Sequence, residues 1–141
     1  MFVYRRIAQY HETDQMGIIH HSNYVKWMEE ARIAFLENVG MPYRAMEENG
    51  LVSPVVAVSV SYKSPVRFSD EVEIAVRLSA YSGVRLSFQY TFTNRTTGAV
   101  AAAATSAHCF LKDGRVVSVR KSFPETDAHL NRLLSRDTES V

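Results

Sequence analysis

Apolar residues recur along the chain at two spacings, and the switch between them marks the elements. From Tyr24 to Val39 the positions Tyr24, Trp27, Met28, Ala31 and Phe35 follow a helical period, and Val25, Ile33, Ala34 and Leu36 widen the stripe around the cylinder. This pattern predicts a helix from about Asn23 to Val39, packed over much of its circumference and closed by Gly40 just past its last turn. Ser22 and Asn23 are expected to cap its start, because short polar side chains accept from the free amides of a first turn. Tyr4 to Tyr10 reads as a short strand before it. Pro42 opens a helical turn after it, running through Asn49 and ended by Gly50.

Period two then takes over. Val56, Val58, Val60 and Tyr62 alternate with Ala57, Ser59 and Ser61, as in a strand with one buried face. Val72, Ile74, Val76 and Leu78 repeat the pattern, as do Val84, Leu86, Phe88, Tyr90 and Phe92, with Ser82-Gly83 as the hairpin between the two runs. Asn94 to Gly98 is a second turn, Ala99 to Leu111 a long strand, and Asp113-Gly114 a third turn into Val116 to Val119. A final helix is expected from Pro124 to Leu134, after Ser122 as a cap. Ala101 to Ala104 is a run of small side chains against which something should pack closely. One long helix against one curved antiparallel sheet of five to six strands, with a helix at the C-terminus, is an α+β arrangement in a single domain spanning residues 1–141. Its edge strands call for cover, which favours a homo-oligomer.

Composition narrows this picture without redirecting it. The chain has 141 residues, 46% of them apolar and 22% charged, which suits one ordinary core. A net charge of +1 gives no electrostatic case for nucleic acid or an anionic membrane. Cys109 is the only cysteine, so no internal disulfide can form. The opening Met-Phe-Val-Tyr-Arg-Arg lacks the apolar stretch of a signal peptide, and a cytoplasmic location is expected. No run approaches the roughly 18 apolar residues of a membrane-spanning helix.

The chemistry concentrates in Thr13-Asp14-Gln15-Met16-Gly17-Ile18-Ile19-His20-His21-Ser22-Asn23-Tyr24. A carboxylate and a turn glycine lead into a helix start. Such a start offers unpaired N–H groups and a partial positive charge, which can hold an oxyanion, and Asp14 lies on the approach to it. Carboxylate plus oxyanion site suggests acyl transfer. A plainer reading makes Asp14 the acceptor of an Asx turn and Gly17 a residue with positive φ, while Tyr24, Trp27 and Met28 are core rather than a cofactor box. His11, Asp14, His20 and His21 lack the His-Glu-x-x-His spacing of a helical zinc site, so no metal is assigned. There is no Gly-x-Ser-x-Gly elbow, and Cys109 reads as a small hydrophobe on a strand.

Tyr10-x-x-x-Asp14-x-x-Gly17-x-x-x-His21-x-Asn23-Tyr24 followed by Glu30-Ala31-Arg32 resembles the hot-dog-fold acyl-CoA thioesterases, the 4-hydroxybenzoyl-CoA thioesterase group above all. Tyr62-x-x-Pro65-Val66-x-x-x-Asp70-x-Val72-x-Ile74 fits the middle section of the same family. The resemblance implies a hot-dog fold in which a long central helix is wrapped by the sheet. It also implies hydrolysis of an acyl-CoA thioester without a cofactor, coenzyme A being part of the substrate. Asp14 falls on the catalytic carboxylate, as nucleophile or general base. The backbone N–H of His21 falls on the group that polarises the carbonyl, and Tyr10 and the His21 side chain on further active-site positions. Gly17, Asn23, Lys63 and Arg67 are the substrate-binding candidates, the last two for the phosphates of coenzyme A. Tyr43, Met46, Val58 and Tyr62 are candidate walls of the acyl pocket. His20 departs from the pattern, where an aromatic or apolar residue is more usual. Homodimers or homotetramers with a site at the protomer interface are implied as well. The rival readings are a non-catalytic acyl-CoA-binding protein of the same shape, and a hot-dog hydratase or dehydratase.

Overall fold

The computed structural model describes residues 2–139, apart from the side chains of Tyr43 and Glu139. In chain order the elements are β1 (Phe2–Ile7), a 3-10 turn (Tyr10–Glu12), α1 (Ser22–Asn38), α2 (Tyr43–Glu48), β2 (Leu51–Val52), β3 (Val55–Tyr62), β4 (Glu71–Tyr81), β5 (Arg85–Asn94), β6 (Val100–Cys109), β7 (Leu111–Lys112), β8 (Arg115–Val116), α3 (Val119–Ser122) and α4 (Pro124–Glu139). Five strands form one antiparallel sheet in the order β1-β4-β5-β6-β3, and β2, β7 and β8 form a small second sheet. The fold is α+β, with the central sheet at the lower of the two expected strand counts and three short strands beside it.

α1 lies against the sheet because its apolar stripe and the inward positions of β4 and β5 match. Trp27, Met28, Ala31 and Phe35 are buried, as are Ile74, Val76, Phe88 and Phe92. Phe35 meets Phe88 edge-on at 5.7 Å, and Tyr24 meets Phe92 at 5.3 Å. The alanine run on β6 makes room within the sheet: Ala102 stands in register between Phe92 and Tyr62, and Ala104 between Tyr90 and Val60, so each small side chain has large neighbours on both sides.

Several boundaries differ from those predicted. β1 begins at Phe2 and stops at Ile7, and Tyr10 belongs to the following 3-10 turn. The N-cap of α1 is His21, with Ser22 and Asn23 already inside the helix. The long strand expected to Leu111 breaks after Cys109, where the chain crosses from the central sheet to the small one. Val116 to Val119 divides between β8 and α3, and Ser122 ends α3 instead of capping the last helix. α4 runs five residues beyond Leu134 because Asp137 is buried and its Oδ2 accepts the Leu78 backbone N–H at 2.8 Å, beside the irregularity in the β4–β5 pairing.

From Val58 to Tyr62 β3 keeps the inward parity that its alternation predicted, pairing with the buried Ser106, Ala104 and Ala102, whereas an irregularity between Val55 and Ala57 breaks it at Val56, and the strand is largely uncovered. Val56, Val58 and Tyr62 are 46%, 41% and 49% exposed. β3 is an edge strand that meets α1 at Tyr62, whose ring packs against Tyr24. None of the described helices is long and apolar enough to cross a membrane.

Candidate active site

The loop from Thr13 to His21 is folded back on itself. Thr13 bridges to Ile19, and Ile18 bridges to Arg67 in the segment after β3, so the loop is zipped to the approach to β4. Gly17 adopts φ +77, which lets the chain reverse between the carboxylate and the helix. Asp14 is drawn into the turn: its Oδ1 accepts the Met16 N–H at 2.8 Å and faces the Ile18 N–H at 3.4 Å. The Asx-turn reading therefore holds for one oxygen. Oδ2 accepts no hydrogen bond among the described residues, so the turn orients the carboxylate and leaves half of it available.

The helix start has a clear pattern of used and unused amides. His20 N–H donates to the Glu12 carbonyl at 2.8 Å, Ser22 N–H to His20 Nδ1 at 3.2 Å, Asn23 N–H to the His20 carbonyl at 3.0 Å, and Tyr24 N–H to the His21 carbonyl at 3.2 Å. Across residues 20–24 the His21 N–H alone meets no acceptor among the described residues. It sits at the positive end of a 17-residue helix. His20 is thus a capping side chain, its Nδ1 also 2.8 Å from Ser22 Oγ, in keeping with a structural role.

Asp14 and His21 line one cleft of about 600 Å³ together with Met16, Ile18, Tyr24, Tyr62, Lys63 and Arg67. Tyr62 closes one side by donating its hydroxyl to the His21 carbonyl at 3.1 Å, which ties β3 to the helix start. Its ring packs edge-on against Tyr24 at 5.0 Å. Burial, and after it the neighbouring Tyr62, pushes the Tyr24 hydroxyl up to about 12, so it stays neutral and can only donate or accept a hydrogen bond at ordinary pH.

The structure separates other expected members from this cleft. Tyr10 is 75% exposed, lies outside the lining, and packs edge-on against Phe68 at 5.6 Å. Asn23 is buried, and its Nδ2 donates to the carbonyls of Glu12 at 3.0 Å and His20 at 3.3 Å, so its amide nitrogen holds the loop; it is not among the residues lining the cleft. Gly17 serves the turn and does not line the cleft. Of the candidate walls, Tyr62 lines it, Val58 does not, and Met46 faces a separate cleft of about 260 Å³ with Met41, Leu51, Phe123 and His129. The side chain of Tyr43 is outside the described residues.

Glu12 was not singled out in the sequence, yet it supports the whole loop. It is 4% exposed, and its carboxylate accepts from Trp27 Nε1 at 2.8 Å, Gln9 N–H at 2.8 Å and Arg6 at 2.8 Å. Arg6 in turn pairs with Glu30 at 2.8 Å and stands over the Trp27 ring at 5.0 Å. The signal available was a charged residue two positions before Asp14 that belongs to neither apolar period.

Comparison with known proteins gives the same outline. The sequence matches the thioesterase-like superfamily over residues 8–129. It is 37% identical over 120 residues to YneP of Bacillus subtilis, which bears the provisional name of an acyl-CoA thioesterase, covering 84% of this chain and 86% of that one. A hypothetical protein of Aquifex aeolicus with a crystal structure superposes with a TM-score of 0.84 at 35% identity, over 92% of this chain and 99% of that one. The DHNA-CoA thioesterase of Staphylococcus aureus superposes with a TM-score of 0.92 at 27% identity, over 99% of this chain and 94% of that one.

Proposed function

Because the chain belongs to the thioesterase-like superfamily of hot-dog proteins, we propose that it hydrolyses acyl-CoA thioesters, with Asp14 as nucleophile or general base and the His21 N–H as oxyanion donor. The observation that carries this reading is the pairing, in one cleft, of a carboxylate with a free oxygen and the one unspent amide at the helix start.

The thioester carbonyl oxygen accepts the His21 N–H, and the charge that develops on it is offset by that amide and the helix end behind it. Asp14 Oδ2 either attacks the carbonyl carbon, giving a mixed anhydride that water then opens, or takes a proton from the attacking water. In both routes the C–S bond breaks, the thiolate leaves and takes up a proton, and one water is consumed in forming the free acid. Thiolate is a good leaving group, so no strong acid is required opposite Asp14. The His21 ring is exposed at the cleft and can hold water or substrate beside the carbonyl. Lys63 and Arg67 line the same cleft and suit the phosphates of coenzyme A.

Replacement of Asp14 by Asn or Ala is expected to lower the rate of thiol release from a panel of acyl-CoAs by roughly 10² to 10⁴-fold while leaving the fold intact, the scale usual for a positioned base. Wild-type rates in either variant would overturn the assignment. A protein that only binds acyl-CoA would shift its melting temperature on adding the ligand yet release no thiol.

We further propose that the working form is a homodimer or homotetramer in which a second copy covers β3. The inward-facing but uncovered Val58 and Tyr62 on an edge strand support this.

A further inference from the structure

We propose that the exposed Tyr10–Phe68 ring pair is a platform for the adenine base of coenzyme A, so that the protein selects nucleotide-bearing thioesters over those carried on a phosphopantetheine protein arm. This inference rests on the thioester reading above and adds to it the part of the substrate lying furthest from the reacting carbon.

Two aromatic rings are left in solvent here with no internal task. Tyr10 and Phe68 are 75% and 54% exposed and meet edge-on at 5.6 Å, so together they form an exposed apolar corner in which a flat ligand stacked on one ring meets the other. The turn that presents Phe68 is held firmly. Ser69 stands at φ +65, a left-handed conformation that a non-glycine residue keeps only when its surroundings impose it. They do so: Ser69 N–H donates to the Ala8 carbonyl at 2.9 Å, while Asp70 Oδ2 accepts the Arg67 N–H at 2.9 Å and Asn94 Nδ2 at 2.8 Å. A rigidly presented ring loses little freedom when a flat ligand stacks on it.

The platform adjoins the cleft on its basic side. Phe68 follows Arg67 directly, and Arg67 lines the cleft and bridges to Ile18 of the Asp14 loop. Neither Arg67 nor Lys63 forms an ion pair among the described residues, and Asp70 Oδ2 is taken up by the Arg67 backbone N–H and Asn94. A ligand whose reacting end lies at Asp14 would pass unspent cations before reaching two rings. That sequence matches an acyl group, then phosphates, then a purine. A phosphopantetheine arm on a carrier protein has the phosphate and no purine.

The test is calorimetric titration of the intact protein with coenzyme A and, separately, with 4′-phosphopantetheine. Stacking of a base on an aromatic side chain gives roughly tenfold in affinity. Wild type should therefore bind coenzyme A at least about tenfold more tightly than phosphopantetheine, Phe68→Ala and Tyr10→Ala should each cut that ratio by roughly tenfold while leaving the share owed to the additional phosphates, and Phe68→Trp should keep it. Equal affinity of wild type for the two ligands, or a ratio unchanged in Phe68→Ala, overturns the proposal. A change in assembly size in Phe68→Ala with the ratio intact overturns it too, and assigns the rings to a second copy. Thiol release from acyl-CoA is measured alongside: its absence in wild type defeats the hydrolase reading, while the titration still decides the platform.

Discussion

At Glu12 a carboxylate buried to 4% exposure is kept charged by its neighbours. Burial would raise its pKa, but the bonds from Trp27, the Gln9 amide and Arg6 outweigh it and hold it below the usual carboxylate range. A group whose folded pKa is lowered contributes stability above its unfolded value, near 4.3, and that contribution is lost as the pH falls further. Glu12→Ala strands Arg6 and the Trp27 N–H without their acceptor, so a loss of about 3 kcal/mol is expected in urea unfolding at neutral pH. Glu12→Gln can still accept from Trp27 and Gln9 and should cost less. Both gaps should narrow as the pH falls below the unfolded value and wild-type Glu12 gives up its charge. A gap that widens on acidification would show that the charge is not what stabilises the loop. Single residues were legible here to unequal degrees. Asp14, Gly17 and His21 stand in a recognisable spacing and are found at the turn and the helix start. Glu12 sits in a 3-10 turn with no period of its own, and Asn23 looked like a cap because sequence shows only that its amide needs a partner, not that two loop carbonyls supply it.

Between elements, a chain of polar side chains links α1 to the sheet. Arg32 on α1 donates to the Tyr90 hydroxyl at 3.4 Å, Tyr90 lies 2.6 Å from Ser106 Oγ, Ser106 2.8 Å from His108 Nε2, and His108 Nδ1 3.3 Å from the Ser53 carbonyl. His108 is fully buried, and burial, reinforced by the positive charge of Arg32, lowers its pKa to about 4. Its unfolded value is near 6.5, so the unfolded chain takes up this proton first. The neutral ring's contribution is complete above about pH 6.5 and is lost as the pH falls toward 4, by roughly 3 kcal/mol at that point. Wild type should accordingly lose melting temperature across this window, and a His108→Gln variant, less stable at pH 7, should show a shallower decline there. Parallel declines would remove His108 as the cause. Strands whose two faces differ, such as β4 and β5, were readable from period two because one face is covered and the other is not. The break after Cys109 and the extra turn of α4 were not, since each depends on a partner far along the chain, the small sheet in one case and the Leu78 amide in the other.

For the molecule as a whole, the open question posed by the geometry is what covers β3. In a completed sheet, residues of one parity share an environment, yet along β3 the inward side passes from the partly buried Val60 to Val58 at 41% exposure and, past the bulge, to Val55, which pairs with the buried His108 and is 46% exposed. An uncovered edge with unpaired backbone groups and apolar side chains is a template for pairing, and in a symmetric assembly it pairs with its own copy. The sequence showed the alternation and hence the parity, but a pattern of side chains cannot distinguish cover by the same chain from cover by another. Tyr62 makes the difference functional, because the residue that ties β3 to the His21 carbonyl lies on the same strand and is itself 49% exposed. Val58→Lys puts a charge on the inward side of that edge without touching Asp14 or the His21 amide. It should shift the protein from oligomer to monomer in sedimentation velocity at micromolar concentration, leave the far-ultraviolet circular dichroism unchanged, and lower kcat/KM for acyl-CoA about tenfold or more by releasing the strand that braces the site. An Ala at the same position, which keeps the edge neutral, should remain assembled and active. If the lysine variant stays assembled, β3 is covered by something other than a second copy; if it becomes monomeric with full activity, the assembly does not brace the cleft.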